Sequence, residues 1–245
     1  MENNWRIWNS DSSVELRTYK RVTGELPEME SAKQLVNIVR NIYIPEMKIL
    51  DVGCAAGHYY KSLLKINHDI EYLGIDATMP YIEFANNYFK KQKVKFLVGD
   101  IFDLPDELGR FDIVFCCNLI LHLPDFRVPI KNLLGVTKKY CFIRTLVSDR
   151  THLSKFLYTD DFDENNNPIN FVYQNTYSID LLKRFIDSVG DYYVELIDDV
   201  FDAENVNKEF VSFQNEQSAV TRVVDNYQIA GSKVFEWKWL KIYPK

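Results

Sequence analysis

The sequence predicts one doubly wound α/β domain with a mostly parallel, seven-stranded sheet and helices on both of its faces. Between residues 48 and 147, short apolar runs alternate with helical spacing, as in βαβ units, and right-handed crossovers place such strands in a parallel sheet. The run at 111–117 is almost uninterruptedly apolar, which is typical of a strand covered on both faces. The final run, at 234–243, alternates instead, so we expect the last strand to pair antiparallel.

The elements follow from the spacing of apolar residues and from the residues that begin and end each run. Strands are predicted at 49–52, 70–75, 94–98, 111–117, 140–147, 192–197 and 234–243. Helices are predicted from Pro27 to Pro45, at 58–64, at 80–91, at 124–134 and after Ser178, which is suited to cap a helix.

The whole chain, 1–245, is predicted to be a single domain with two additions to its core. Residues 1–45 would form an N-terminal helical lid, and residues 46–147 would form the ligand-binding core. Residues 148–177 contain a charged, Asn-rich stretch, which we interpret as a surface insertion after the fifth strand and beside the active site. Residues 178–245 would complete the sheet.

Composition and charge count against several classes of protein. The 245-residue chain has a net charge of −6, which disfavours nucleic-acid binding because Lys and Arg contacts with phosphates supply much of that affinity. No apolar run approaches the roughly 20 residues needed to cross a bilayer, and the N-terminus lacks a signal-peptide pattern. The four cysteines form no C-x-x-C pair, so we expect reduced, packed thiols in a cytoplasmic protein.

The densest signal is the stretch ILDVGCAAGHYY at residues 49–60. Asp51 ends a strand, Gly53 and Gly57 flank a tight turn around Ala55, and a helix follows at once. Small residues allow a ligand to approach the backbone, and a helix N-terminus offers unpaired N–H groups. A plain βα turn would not need this combination. A dinucleotide fingerprint, G-x-G-x-x-G, would need glycine where Ala55 and His58 stand.

Two further acids end the next two strands. Asp76 follows the second strand and Asp100 follows the third. Because the carboxyl ends of parallel strands meet at one edge, Asp51, Asp76 and Asp100 together predict a single ligand groove there. The fourth strand leads into Asn118 and His122 at the same edge.

The stretch from 48 to 147 resembles class I S-adenosylmethionine-dependent methyltransferases that act on small metabolites. In that family the first strand reads acidic-x-Gly-x-Gly-x-Gly, and here Ala55 replaces the middle glycine. The resemblance implies S-adenosylmethionine as cofactor and S-adenosylhomocysteine as product. The positions that it assigns to the cofactor are Tyr19, Arg21, Asp51, Gly53, Cys54, Ala55, Gly57, Asp76, Ala77, Met79, Asp100, Ile101, Asn118 and Leu119.

Methyl transfer from a sulfonium chiefly requires alignment, and an alcohol acceptor also requires a base. His122 is the predicted base, with a purely supporting role as the alternative; His58 and His68 are predicted to be surface or loop residues. Asp125 is expected to cap a helix. By position alone, the residues expected to line an acceptor pocket are Tyr173, Asn175 and Tyr177.

The predicted function is therefore methyl transfer to an O or N atom of a small molecule by a monomer or homodimer. No metal site is expected, and motifs of amide and cytosine-C5 methyltransferases are missing from the expected places. The insertion resembles bacterial enzymes that modify capsule and other surface polysaccharides. The alternatives are an RNA methyltransferase, a non-catalytic cofactor-binding subunit and a nicotinamide oxidoreductase.

Overall fold

The structure is a computed structural model that describes residues 12–92, 94–206, 221–225, 227–230 and 233–245. Within those ranges the α-helices are α1 (Ser12–Thr23), α2 (Glu30–Arg40), α3 (His58–Leu63), α4 (Met79–Tyr88), α5 (Arg127–Gly135) and α6 (Ile179–Val189). None of these helices is long and apolar enough to span a bilayer.

The strands of the described chain form one large sheet and two small ones. They are β1 (Lys48–Val52), β2 (Glu71–Asp76), β3 (Val94–Val98), β4 (Phe111–Cys117), β5 (Thr137–Ser148), β6 (Lys155–Leu157), β7 (Phe171–Tyr173), β8 (Tyr177–Ser178), β9 (Tyr192–Asp198), β10 (Thr221–Val224), β11 (Tyr227–Ala230), β12 (Lys233–Phe235) and β13 (Trp237–Pro244).

The large sheet has the order β3-β2-β1-β4-β5-β13-β9, with the short strand β8 also pairing with β5. Strands β1 to β5 pair in parallel, whereas β13 runs antiparallel to both β5 and β9. The predicted fold class is therefore confirmed. The chain reverses its direction of winding at β1, so the ends of β1, β2 and β4 border a crevice of the kind in which ligands bind in such folds.

Alternation along the strands divides the core between the two faces of the sheet, because successive side chains point to opposite faces. Ile49 of β1 packs with Leu35 of α2 on one face, where Trp239 of β13 is also buried. Leu50, the next residue of β1, packs with Ile130 of α5 on the other face. Both faces are covered, as the apolar strands predict.

Several details differ from the sequence prediction. The insertion contains the hairpin β6–β7, and the predicted strand at 234–243 is divided between β12, in the sheet β10-β11-β12, and β13 in the large sheet. The sequence alone does not reveal this change of partner strand, because apolar and polar residues alternate with the same period of two in β12 and in β13. Helix α2 begins at Glu30, and α5 begins after Phe126, so Asp125 is not its N-cap residue.

Two local predictions agree with the structure. The Ser178 hydroxyl accepts a hydrogen bond from the Leu181 N–H and caps α6, satisfying one of its unpaired donors. All four cysteines are buried and form no disulfide.

Candidate functional site

A cleft of about 240 Å³ opens at the carboxyl edge of the large sheet, beneath α1 and the start of α2. A single water needs roughly 10–15 Å³ on this measure, so the cleft can hold a sizeable organic ligand. It is lined by Val14, Thr18, Arg21, Met29, Val52, Gly53, Ala55, His58, Tyr59, Ile75, Asp76, Ala77, Thr78, Tyr81, Gly99, Asp100, Ile101, Cys117, Asn118, Leu119, His122 and Leu123.

The turn after β1 is built around Gly53. This glycine has φ of +85°, and a Cβ atom added to it would lie 2.8 Å from Leu119 Cδ2. The N–H groups of Gly53 and Cys54 both donate to the carbonyl of Ile75. A side chain at position 53 would therefore meet both backbone strain and a steric clash, and the turn brings bare backbone to the cleft.

Asp76 connects this turn to the start of α4. Its Oδ2 accepts from the Ala55 N–H and its Oδ1 accepts from the Thr78 N–H, both at 2.8 Å. Burial raises the pKa of Asp76, and these two hydrogen bonds oppose that shift. Each carboxylate oxygen can accept a further bond, so Asp76 can receive ligand donors while it holds both turns.

The other two strand-end acids occupy different environments. Asp100 lines the cleft, and its Oδ1 accepts from the Phe102 N–H at 2.9 Å. Asp51 is buried and does not belong to the cleft lining; the Tyr72 hydroxyl donates to its Oδ2 at 2.6 Å. Burial raises the pKa of Asp51 well above its ordinary value. Of the three acids, two reach the cleft and Asp51 supports the turn from within β1.

Asn118 is held at the cleft by a buried ionic network. Its φ is +59°, its N–H donates to the carbonyl of Arg144, and the Arg144 guanidinium donates to its Oδ1. Arg144 in turn pairs bidentately with Asp199 at 2.8 Å, and its guanidinium lies 4.1 Å from the centre of the Trp237 ring.

Arg144, Asp199 and Trp237 are not among the residues predicted from the sequence. The available signal was a lone arginine inside the apolar run of β5, since a buried guanidinium requires a partner.

His122 lies in a 3₁₀ turn, Ile120–His122, and lines the cleft. Its Nδ1 is 2.8 Å from the carbonyl oxygen of Tyr173. Burial lowers the pKa of His122 to about 4, against the raising effect of that hydrogen bond. The imidazole is therefore neutral near pH 7, and the burial that keeps it neutral also makes it a weaker base than a free imidazole.

The three residues expected to line an acceptor pocket do not line the cleft. Asn175 and Tyr177 are each 1% exposed, and their side chains bond to the turn that carries His122. Tyr173 reaches the same turn through its backbone carbonyl. The prediction placed them by sequence position; the pairing of β8 with β5 instead draws the segment into the core.

The predicted cofactor residues separate into two groups. Gly53, Ala55, Asp76, Ala77, Asp100, Ile101, Asn118 and Leu119 line the cleft together with Arg21. The other five, Tyr19, Asp51, Cys54, Gly57 and Met79, are outside that lining. The Tyr19 ring stacks on Phe84 with 4.0 Å between centroids, and Met79 is 56% exposed.

His58 differs most from its prediction. It was expected at the surface or in a loop, but it begins α3 and lines the cleft with Arg21. Burial and the Arg21 charge lower the pKa of His58 to about 3. Its Nδ1 is buried without a hydrogen-bond partner among the described residues. The signal available in the sequence was its place directly after Gly57, at the first position of a helix.

The two lowered histidine pKa values predict a pH-dependent stability. In the unfolded chain each histidine is protonated below its ordinary pKa of 6.5. In the folded chain His122 is protonated only below about pH 4 and His58 only below about pH 3. The free energy of unfolding should therefore fall as pH decreases from 6.5 to 4, by at most about 1.4 kcal/mol per pH unit for each histidine. Urea unfolding at stepped pH, compared with the double variant His58→Gln/His122→Gln, measures this. Parallel curves for the two proteins would contradict it.

Comparison with known proteins adds a family and a fold. A family model described as a methyltransferase domain matches residues 45–226. The ubiquinone biosynthesis O-methyltransferase of Coxiella burnetii is 33% identical over 112 residues, which are 42% of this chain and 47% of that protein. The chain thus spans about half the length of the curated relatives that it matches first.

Two solved structures share the fold. A S-adenosylmethionine-dependent methyltransferase from Clostridium acetobutylicum superposes with a TM-score of 0.56 at 12% identity, covering 97% of this chain and 98% of that chain. The magnesium protoporphyrin IX methyltransferase of Synechocystis, with bound S-adenosylmethionine, has a TM-score of 0.52 at 12% identity and covers 98% and 94%.

Proposed function

Because the chain belongs to the methyltransferase-domain family, we propose that it is a S-adenosylmethionine-dependent methyltransferase that modifies a small molecule. The observation that best supports this proposal is the cleft at the carboxyl edge of the sheet, where the Gly53 turn, Asp76 and Asp100 meet. That arrangement supports a nucleoside ligand, because a strand-end carboxylate can accept from ribose hydroxyls and bare backbone admits a bulky group.

The residues present fit this cofactor. Gly53 lines the cleft with bare backbone, and its missing side chain lets Leu119 pack directly against the turn. Asp76 would hold the ribose, Asp100 and Ile101 would meet the adenine, and the Gly53 turn with Arg21 would meet the methionine portion. Tyr19, Met79, Cys54, Gly57 and Asp51 would support these contacts without making them, since they lie outside the cleft lining.

When bound, S-adenosylmethionine supplies a methyl group already activated on a sulfonium. Transfer of that methyl group to an acceptor hydroxyl would require the hydroxyl to give up its proton to a base. We propose His122 as the base that takes this proton, because it lines the cleft and a neutral imidazole has one ring nitrogen that can accept a proton. The cleft otherwise serves to align the two reactants.

The acceptor side of the cleft supports a largely apolar, oxygen-bearing small molecule. Val14, Met29 and Leu123 line the cleft with His122 and are not among the residues assigned to the cofactor. The curated relative named for O-methylation in ubiquinone biosynthesis is consistent with oxygen as the accepting atom. A precursor of a bacterial surface polysaccharide remains the second acceptor class to be tested.

Calorimetric titration with S-adenosylhomocysteine tests the proposal first, with NADH as the control ligand. We expect roughly micromolar binding of S-adenosylhomocysteine, about −8 kcal/mol, and none of NADH. Transfer of a labelled methyl group from S-adenosylmethionine to simple phenols or to nucleotide-linked sugars then identifies the acceptor class. Binding of NADH in place of S-adenosylhomocysteine would refute the proposed function.

A further inference from the structure

The turn that carries His122 is bonded on several sides by one segment, residues 173–177. The N–H of Asn175 donates to the carbonyl of Leu121 at 2.9 Å. Its side-chain Nδ2 donates to the carbonyl of Leu123 at 2.9 Å, and the Tyr177 hydroxyl lies 3.4 Å from the carbonyl of Ile120. Two carbonyls of the turn and that of Leu123, the residue directly after it, thus accept hydrogen bonds from a segment more than 50 positions away in sequence.

The same segment is itself fixed from behind. The Asn175 Oδ1 accepts from the N–H of Ser154 at 3.1 Å, and the N–H of Gln174 donates to the carbonyl of Ser154 at 2.8 Å. The Asn175 side chain also lies 3.2 Å from the Tyr177 hydroxyl. Asn175 is only 1% exposed, and its amide oxygen and both of its amide hydrogens have hydrogen-bond partners. These three bonds fix the orientation of the amide group.

The contact from Tyr173 determines where the His122 proton resides. A backbone carbonyl oxygen can only accept, so the Nδ1 atom that lies 2.8 Å from it must carry the hydrogen. In a neutral imidazole the other nitrogen, Nε2, is then unprotonated and basic. The tautomer of His122 consequently depends on how firmly the 3₁₀ turn is held against β7.

We propose that residues 173–177 form a clamp that locks His122 in the Nδ1-protonated tautomer, with Asn175 as its positioning residue and Nε2 as the atom that accepts the proton of the methyl acceptor. The role of Nε2 in transfer rests on the proposed function; the tautomer and the clamp do not. The insertion is then a scaffold for the base, and it acts on the reaction through His122 without touching the acceptor at these positions.

Nitrogen NMR tests the clamp in the absence of any acceptor. Protein with ¹⁵N-labelled histidine has four imidazoles, and the spectrum of His122→Gln assigns the one of interest. We expect the wild-type protein at pH 7, saturated with S-adenosylhomocysteine, to show a protonated Nδ1 and an unprotonated Nε2 at His122. Detection of the proton on Nε2 in the wild type would overturn the proposal, and the His122→Gln variant serves only to assign the resonance.

Asn175→Asp tests the positioning role. The aspartate keeps an oxygen for Ser154 but loses the donor to Leu123, so we expect His122 to become a mixture of tautomers. Asn170→Asp is the matched control, because Asn170 lies in the same insertion, is exposed and bonds to Thr159 at 3.0 Å, away from the turn. Its spectrum should equal the wild type, and an unchanged tautomer in Asn175→Asp would refute the positioning role.

The affinity for S-adenosylhomocysteine separates the two proposals. Asn175 makes no contact with the cleft lining assigned to the cofactor, so Asn175→Asp should bind S-adenosylhomocysteine within about twofold of the wild type, which is under 0.5 kcal/mol. Loss of binding in the wild type would refute the proposed function while leaving the tautomer measurable in the unliganded protein.

Discussion

Asp76→Ala is expected to weaken S-adenosylhomocysteine binding by on the order of 100-fold or more. The substitution removes the acceptor of the Ala55 and Thr78 N–H groups as well as the proposed ribose contacts. A hydrogen bond to a charged group contributes about 1.5–3 kcal/mol, and two of them correspond to roughly 3–6 kcal/mol. Because about 1.4 kcal/mol is a tenfold change in affinity, calorimetric titration should detect the loss readily.

Asp69→Ala is the control for this measurement. Asp69 is an exposed carboxylate just before β2, so the variant has the same change of charge at the opposite end of that strand. We expect it to bind S-adenosylhomocysteine as the wild type does. Equal affinities for Asp76→Ala and the wild type, with both proteins folded by circular dichroism, would remove Asp76 from the ligand site.

Asp199→Ala is expected to produce a large loss of stability. It leaves the guanidinium of Arg144 buried without its carboxylate, in a pair whose side chains are 6% and 3% exposed. Removing one partner of a buried ion pair costs about 3–5 kcal/mol. For a chain of this size each kcal/mol shifts the melting temperature by roughly 2–4 °C, so we expect a decrease of roughly 6–20 °C in thermal unfolding.

The neighbouring residue provides a matched control. Asp198 pairs with Lys238 at 2.7 Å, but its side chain is 79% exposed, so Asp198→Ala should leave the melting temperature nearly unchanged. The double variant Arg144→Met/Asp199→Ala should lose less stability than the sum of the single changes, because no charge remains buried. Additive losses would show that the ion pair does not couple these residues.

The same network connects stability with the cleft. Arg144 holds the side-chain oxygen of Asn118, so the two N–H bonds of the Asn118 amide are the polar groups that it can offer to a ligand. Arg144→Lys should therefore reduce ligand affinity as well as stability, since a single ammonium cannot reproduce the planar contacts with both Asp199 and Asn118.

The parallel direction of the first strands and the sheet edge at which the cleft lies were accessible from local sequence. Asp76 and Asp100 each follow an apolar run, and parallel pairing brings the ends of such runs to one edge whatever the details of packing. The glycine turn at Gly53 was equally accessible, because a positive φ and close approach of backbone both select glycine.

The roles of particular side chains near the cleft were not accessible in the same way. Asp51 and Asp76 both end strands, and the sequence does not distinguish them. In the structure Asp51 is buried and bonded to Tyr72, whereas Asp76 lines the cleft. The positions of His58 and of the three residues predicted to line an acceptor pocket differ from expectation for a related reason. The exposure of a side chain depends on which distant segment covers it.

Local pattern thus specified the α/β class, the antiparallel last strand and the edge at which the cleft opens, because these follow from hydrophobic period and chain direction alone. Only the tertiary structure decided that residues 173–177 hold the His122 turn, that Arg144 holds Asn118, and that His58 faces the cleft. These contacts join segments tens of residues apart, and no periodicity encodes them. They form because polar groups taken from water on folding must find partners, and the fold determines which partners are within reach.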